Sequence, residues 1–208
     1  MIDGYICKKA TIKDMRQNWN YLIEIHPDNN AWKIWKEKAI KDMENGNAIV
    51  YYGILNGVII SEATAMLSNL DVQNSDELVD DTTAYLSAFR TRKEYRGKGF
   101  FSELYKFMEN DLKNKGYKKL TLGVEPCEVK NMIIYFKYGF TDFIKTAYEI
   151  EPAKNENEEP IQYMVCYYSK NIEEKNTNNI QKGKLIAICG KIASGKSYYA
   201  NQIKEKEN

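Results

Sequence analysis

The stretch from Ala84 to Lys115 constrains the fold of this chain more than any other. Ala84–Thr91 has the apolar, β-branched and aromatic character of a strand, and the turn Arg96-Gly97-Lys98-Gly99 follows closely. A helix over Phe100–Lys115 comes next, with Phe101, Leu104, Met108 and Leu112 on one face and Gly116 at its end. A strand delivered into a helix through a glycine turn places the free amides of the helix N-terminus at the strand's C-terminal end. Glycine lets a ligand approach those amides without a side chain in the way. Such a nest favours an anion, and Arg96 and Lys98 add positive charge, so the turn suits a pyrophosphate. On these grounds alone the ligand is any phosphate-bearing cofactor.

The rest of the chain builds an α/β unit around that turn. Tyr5–Thr11 reads as a short strand, and Thr11 with Asp14 forms a capping box for a helix carrying Ile12, Met15, Trp19 and Leu22 on one face. Pro27 stops it, and a second helix fits Asn30–Asn45, with Trp32, Trp35, Ala39 and Met43 as its apolar stripe. Strands at Ala48–Leu55 and Val58–Leu67 flank Asn56-Gly57, a hairpin signal because both residues tolerate positive φ. Residues Ser68–Thr82 form a polar, acidic connection. After the glycine turn and its helix come a strand at Lys118–Gly123, a short helix near Glu128–Tyr138, and strands at Phe140–Ile150 and Ile161–Ser169. The order predicts one mixed central sheet flanked by helices.

Composition removes whole classes of partner. Lys and Arg total 30 against 29 Asp and Glu, a net charge of +1, which offers no electrostatic footprint for nucleic acid or an anionic membrane. No apolar run of about eighteen residues occurs, and MIDGYICKKAT has neither the basic stretch nor the apolar core of a signal peptide, so a cytoplasmic location is expected. Cys7, Cys127, Cys166 and Cys189 are scattered, without metal-binding spacing, so no metal is expected. His26 is the only histidine, which leaves a His-based triad without support.

Arg96-Gly97-Lys98-Gly99-Phe100-Phe101 resembles the cofactor motif of the GNAT superfamily of N-acetyltransferases: Gln or Arg, two residues, Gly, one residue, then Gly or Ala. Phe101 stands where that family has a small residue. The segment Asn131…Tyr135-Phe136-Lys137-Tyr138-Gly139-Phe140 is similar to a second family motif, with Glu128 where Asn is common. The resemblance covers roughly Tyr5 to Ser169 and implies the GNAT acyl-CoA N-acyltransferase fold. It implies acetyl-CoA bound by Phe89, Arg90 and Thr91 along the pantetheine arm, by the turn from Arg96 through Gly97, Lys98, Gly99, Phe100 and Phe101 to Ser102, and by Asn131. It also places Tyr135 near the cofactor sulfur.

The expected chemistry is direct transfer of an acetyl group to a primary amine of a small molecule or peptide. An ammonium must lose a proton before it attacks, and Glu62 or Glu125 is the candidate base. Amides near Phe89–Thr91 would stabilise the oxyanion, and Tyr135 would protonate the departing thiolate. Cys127 has no histidine nearby, so a covalent route is disfavoured. The Ser68–Thr82 connection carries Asp71, Asp76, Glu77, Asp80 and Asp81 and no Lys or Arg; two readings stay open, a solvated surface loop and a loop beside the acceptor cleft that draws in a cationic amine.

A second signal closes the chain. Gly190-Lys191-Ile192-Ala193-Ser194-Gly195-Lys196-Ser197 fits G-x-x-x-x-G-K-[ST] after the strand-like Lys184–Cys189. In such a loop Gly190, Gly195 and Lys196 hold phosphates and Ser197 holds Mg²⁺. It reads as the first βα segment of a truncated P-loop domain, with ATP and Mg²⁺ relevant only if that domain is complete in a longer protein. The expected organisation is an acetyltransferase domain over 1–170, a linker over 171–182 and a partial P-loop segment over 183–208. Two other readings compete, a non-catalytic acyl-CoA-binding module and the acetyltransferase half of a bifunctional acetyltransferase–kinase. A homodimer is left open.

Overall fold

Hydrophobic residues repeating every second position along the strands, and every third or fourth along the helices, organise a three-layer α/β unit in the computed structural model, which describes residues 2–155 and 157–173. The elements run β1 (Tyr5–Lys9), α1 (Ile12–Glu24), α2 (Ala31–Glu44), β2 (Ala48–Leu55), β3 (Val58–Met66), β4 (Thr83–Thr91), α3 (Phe100–Asn114), β5 (Lys119–Val124), α4 (Val129–Lys137), β6 (Asp142–Glu151) and β7 (Ile161–Asn171). They form one seven-stranded sheet in the order β1-β2-β3-β4-β5-β7-β6. Only the β4–β5 pair is parallel; the other five are antiparallel. Gly190, Gly195, Lys196 and Ser197 lie outside the described residues.

Local sequence explains the helix ends and the hairpin. Thr11 accepts from the Asp14 amide at 3.2 Å while Asp14 accepts from the Thr11 amide at 2.8 Å, so the capping box forms and the first strand ends two residues earlier than expected. Asn56 and Gly57 both take positive φ, 50° and 80°, and turn β2 into β3.

Alternation then sends neighbouring side chains to opposite faces. Tyr51, Ala63, Ala65, Ala84, Leu86, Leu120 and Leu122 meet Leu104, Tyr105, Met108 and Leu112 of α3. Full burial of each of those leucines and Met108 contributes about 1.5–3 kcal/mol. Val50, Tyr52 and Ile59 pack instead on Met15, Trp19 and Leu22 of α1 and Ile40 of α2. The connection between β3 and β4 is less solvated than its composition suggests. It buries Leu78 and Val72 against Met66, Val165 and Tyr167. At the other boundary β7 continues to Asn171, and Ile172 is buried in the α3-side core.

Candidate active site

The site begins where the parallel pair comes apart. β4 and β5 are registered only from Thr83↔Lys119 to Leu86↔Leu122, although β4 runs on to Thr91 and β5 to Val124. Between Ser87↔Thr64 and Arg90↔Glu62 the β3–β4 register slips, and Ala88 sits at φ 53°. This is a bulge: an extra residue bends the strand and removes backbone groups from the ladder. A non-glycine residue in that region is strained and persists only where its surroundings hold it. The consequence is a β4 edge from Ser87 to Thr91 with no β5 partner, its backbone groups available to a ligand.

Beyond Thr91 a short 3-10 turn, Lys93–Tyr95, leads to the glycines. Gly97 and Gly99 have φ 73° and 86°, and Gly99 is the N-cap of α3. Among the described residues, no protein group accepts from the amides of Gly97 through Ser102. Space around Gly97 is open, so a ligand can reach its backbone. Arg96 donates Nε–H to the Thr91 carbonyl at 2.9 Å, which ties the turn back to the strand. The chemistry of this nest fits a pyrophosphate.

A cleft of about 1130 Å³ runs past this turn. Phe89, Arg90, Thr91, Arg96, Gly97, Gly99, Phe100, Phe101, Ser102, Asn131, Tyr135 and Glu62 all border it. Lys98 does not line the cleft; its ammonium lies 5.9 Å from the Tyr95 ring centroid. Phe101, in the position of a small residue, packs on Phe89 and Tyr138, at ring separations of 5.0 and 6.2 Å. Ser102 Oγ and the Tyr138 hydroxyl share a 3.0 Å hydrogen bond that joins α3 to α4. Tyr135 meets Phe89 edge to face at 5.9 Å. Burial, with Glu128 adding a negative charge nearby, pushes its phenol up to about 12, so it stays protonated.

The two carboxylates prove different. Glu62 is 4% exposed, lies 3.2 Å from Arg90 Nη1 and accepts from Asn18 Nδ2 at 3.1 Å. Burial raises its carboxyl above the usual range, and Arg90 and Asn18 pull part of the way back. The Arg90 guanidinium also lies over Trp19 and Trp32, at 5.5 and 5.2 Å. Glu125 borders a smaller cavity of about 230 Å³ together with Tyr135, at the parting of β4 and β5.

Sequence reasoning passed over several cleft residues. Asn18, Tyr21, His26 and Trp32 form a wall from α1, α2 and the connection between them, with Arg92 over the Tyr21 ring at 3.8 Å and His26 stacked on Trp32 at 4.2 Å. The Trp32 indole, expected only in the core stripe, faces this wall. Glu149 and Tyr163 of the β6–β7 hairpin border the smaller cavity. Nothing local marks them, because strand register across the sheet brings them there. The acidic 68–82 connection, by contrast, contributes no residue to either space. It lies across the sheet instead: Asp71 is 3.9 Å from Lys38, Asp80 accepts from Thr82 and Thr83, and Gln73 and Asn74 bond backbone groups of β6.

This fold is that of an acetyltransferase. Residues 14–140, more than half of the chain, match the sequence model of the Acetyltransferase (GNAT) family, and the protein belongs to that family. Solved structures share the fold. A probable acetyltransferase from Staphylococcus epidermidis superposes with a TM-score of 0.58 at 11% identity, over 81% of this chain and 99% of that one. A GNAT family acetyltransferase from Elizabethkingia anophelis with acetyl-CoA bound gives 0.53 at 17%, over 82% and 100%. A ribosomal-protein-alanine N-acetyltransferase from Brucella melitensis gives 0.57 at 12%, over 80% and 99%. No curated protein matches the sequence. No helix among the described residues is long and apolar enough to cross a membrane, and none of their His, Cys, Asp and Glu groups could hold a metal ion.

Proposed function

We propose that the protein transfers the acetyl group of acetyl-CoA directly to a primary amine. The observation that carries this reading is the continuity of three features in one cleft: the Phe89–Thr91 edge left without a β5 partner, the unaccepted amides of the Gly97–Ser102 turn, and the protonated phenol of Tyr135. The E. anophelis relative carries acetyl-CoA in the same fold, which supports the choice of cofactor.

Acetyl-CoA supplies a thioester, an acetyl group activated by a good leaving group. The Gly97–Ser102 amides hold its pyrophosphate, and Phe89, Arg90 and Thr91 offer backbone groups to its pantetheine amides, as a short added strand. A β4 amide freed by the bulge donates to the thioester oxygen as negative charge develops there. The amine nitrogen, neutral after its ammonium proton has passed to solvent, forms the new C–N bond, the C–S bond breaks, and the sulfur takes the electron pair and the proton of Tyr135. The surplus proton on nitrogen goes to Glu125, directly or through one water. Glu125 shares the small cavity with Tyr135, whereas Glu62 does not border that cavity and its Oε2 faces Arg90 and Asn18. Products are the N-acetylated amine, free CoA thiol, a protonated Glu125 and a Tyr135 phenolate, reset by proton exchange with solvent.

Calorimetry with acetyl-CoA tests the reading. Gly97→Val together with Gly99→Val forces β-branched residues into φ 73° and 86° and covers the amides, so binding should fall below detection while the far-ultraviolet spectrum is kept. Unchanged affinity would place the cofactor elsewhere.

A further inference from the structure

The smaller cavity has a chemical character of its own. Phe89, Glu128 and Tyr135 border both it and the large cleft, so the two spaces meet at the phenol assigned as proton donor. Its remaining polar walls come from Tyr85 and Ser87 on β4, Glu125 after β5, and Glu149 and Tyr163 on the hairpin. Three carboxylates line it and no Lys or Arg does.

Glu149 is held in place without a countercharge. It accepts from the Tyr163 hydroxyl at 3.0 Å and from the Tyr167 hydroxyl at 2.6 Å, and Asn74 Nδ2 donates to Tyr167 in turn at 3.3 Å. Burial raises both phenols well above their ordinary range, so they remain neutral donors. No cation pairs with Glu149 among the described residues. An ionised carboxylate offers about four lone-pair sites, so two phenols leave capacity for a further donor. Tyr85 and Tyr163 add aromatic rings to the cavity's wall. Gly123 lets Val165 and the Tyr85 hydroxyl pack against the β5 backbone at the cavity wall, where a Cβ would press on both.

We propose that Glu149 binds a second positive charge on the acceptor, so that the substrate is a short diamine or polyamine rather than an amino acid. The inference rests on the acetyl-transfer reading above. It moves the selecting charge from the 68–82 connection to the β6–β7 hairpin. The cavity of about 230 Å³ suits the tail of an aliphatic amine of a few carbons. A carboxylate-bearing amine would meet three like charges there.

Three amines of equal chain length test it in the full-length protein: 1,4-diaminobutane, butylamine and 4-aminobutyrate. They differ only in a distal positive, neutral or negative group. The wild-type kcat/KM should rank in that order. Glu149→Gln removes the charge and keeps an acceptor oxygen for one of the two tyrosines, while the other hydroxyl can turn to accept from the amide nitrogen. It should lower kcat/KM for the diamine roughly 10- to 100-fold, as expected for a charge-assisted hydrogen bond, and leave butylamine within about twofold. Equal turnover of the diamine and 4-aminobutyrate by the wild type would overturn the proposal even if the variant failed to fold. An equal effect of Glu149→Gln on diamine and butylamine would also overturn it. So would turnover of none of the three by a protein that binds acetyl-CoA. Absence of acetyl-CoA binding itself would instead sink the underlying acetyl-transfer reading.

Discussion

Arg90→Met probes the buried charge beside the cleft. Glu62 is almost fully enclosed and its neutralising charge is Arg90, 3.2 Å away, with Asn18 donating a hydrogen bond at 3.1 Å. Methionine keeps much of the arginine stem's volume between Trp19 and Trp32 but strands the carboxylate. Removing one member of a buried pair costs about 3–5 kcal/mol, and the lower end applies because the Arg90 side chain keeps 32% exposure to the cleft. A loss of about 3 kcal/mol in a domain of this size lowers Tm by about 6–12 °C. The pH dependence has a definite sign. A carboxyl whose folded pKa lies above its unfolded value favours the fold at low pH and loses that contribution as pH rises through the folded value. Without Arg90 the Glu62 carboxyl rises further, so the deficit in Tm relative to wild type should widen between about pH 5 and about pH 8. Adding Glu62→Gln to Arg90→Met removes the stranded charge and should restore at least half of the loss. Differential scanning calorimetry of the four proteins at both pH values completes the cycle. A deficit independent of pH, or no rescue in the double variant, would refute the stranded-charge argument and leave lost packing on the tryptophans as the cause.

Tyr135→Phe should lower kcat roughly 10²- to 10⁴-fold with little change in acetyl-CoA affinity, measured by steady-state kinetics and calorimetry side by side. Because its phenol sits at about 12, the wild-type kcat should show no loss of the acid up to about pH 10; an alkaline fall at lower pH would assign the acid to another group. Gly53→Ala would drive a Cβ onto the Tyr5 hydroxyl and Ser61 Oγ, breaking the 2.9 Å bond from Tyr5 to the Phe100 carbonyl that ties β1 to the start of α3. It should cost about 1–3 kcal/mol of stability in denaturant titration, and a neutral result would mean that Tyr5 swings clear.

Local chemistry determined a great deal in this protein. The capping box at Thr11, the Asn56-Gly57 hairpin and the glycine turn before Phe100 depend on residues within a few positions of one another, and each forms where those residues fall. The turn and the Tyr135–Gly139 spacing also carried the family. What they could not carry was any relation across the sheet. Ala88 has no residue type that asks for positive φ; its bulge follows from fitting β4 to β3 while β5 departs. Glu62 reads in sequence like Glu125, and only the packing of α1 and α2 over β3 encloses one with Arg90 and leaves the other at the cavity beside Tyr135. The same holds for Glu149, one acidic residue among many until the β6–β7 register sets it against Tyr163 and Tyr167. Its neighbours come from distant parts of the chain. A carboxylate's role depends on burial and countercharge, which are properties of those neighbours, and so the tertiary structure alone could assign it.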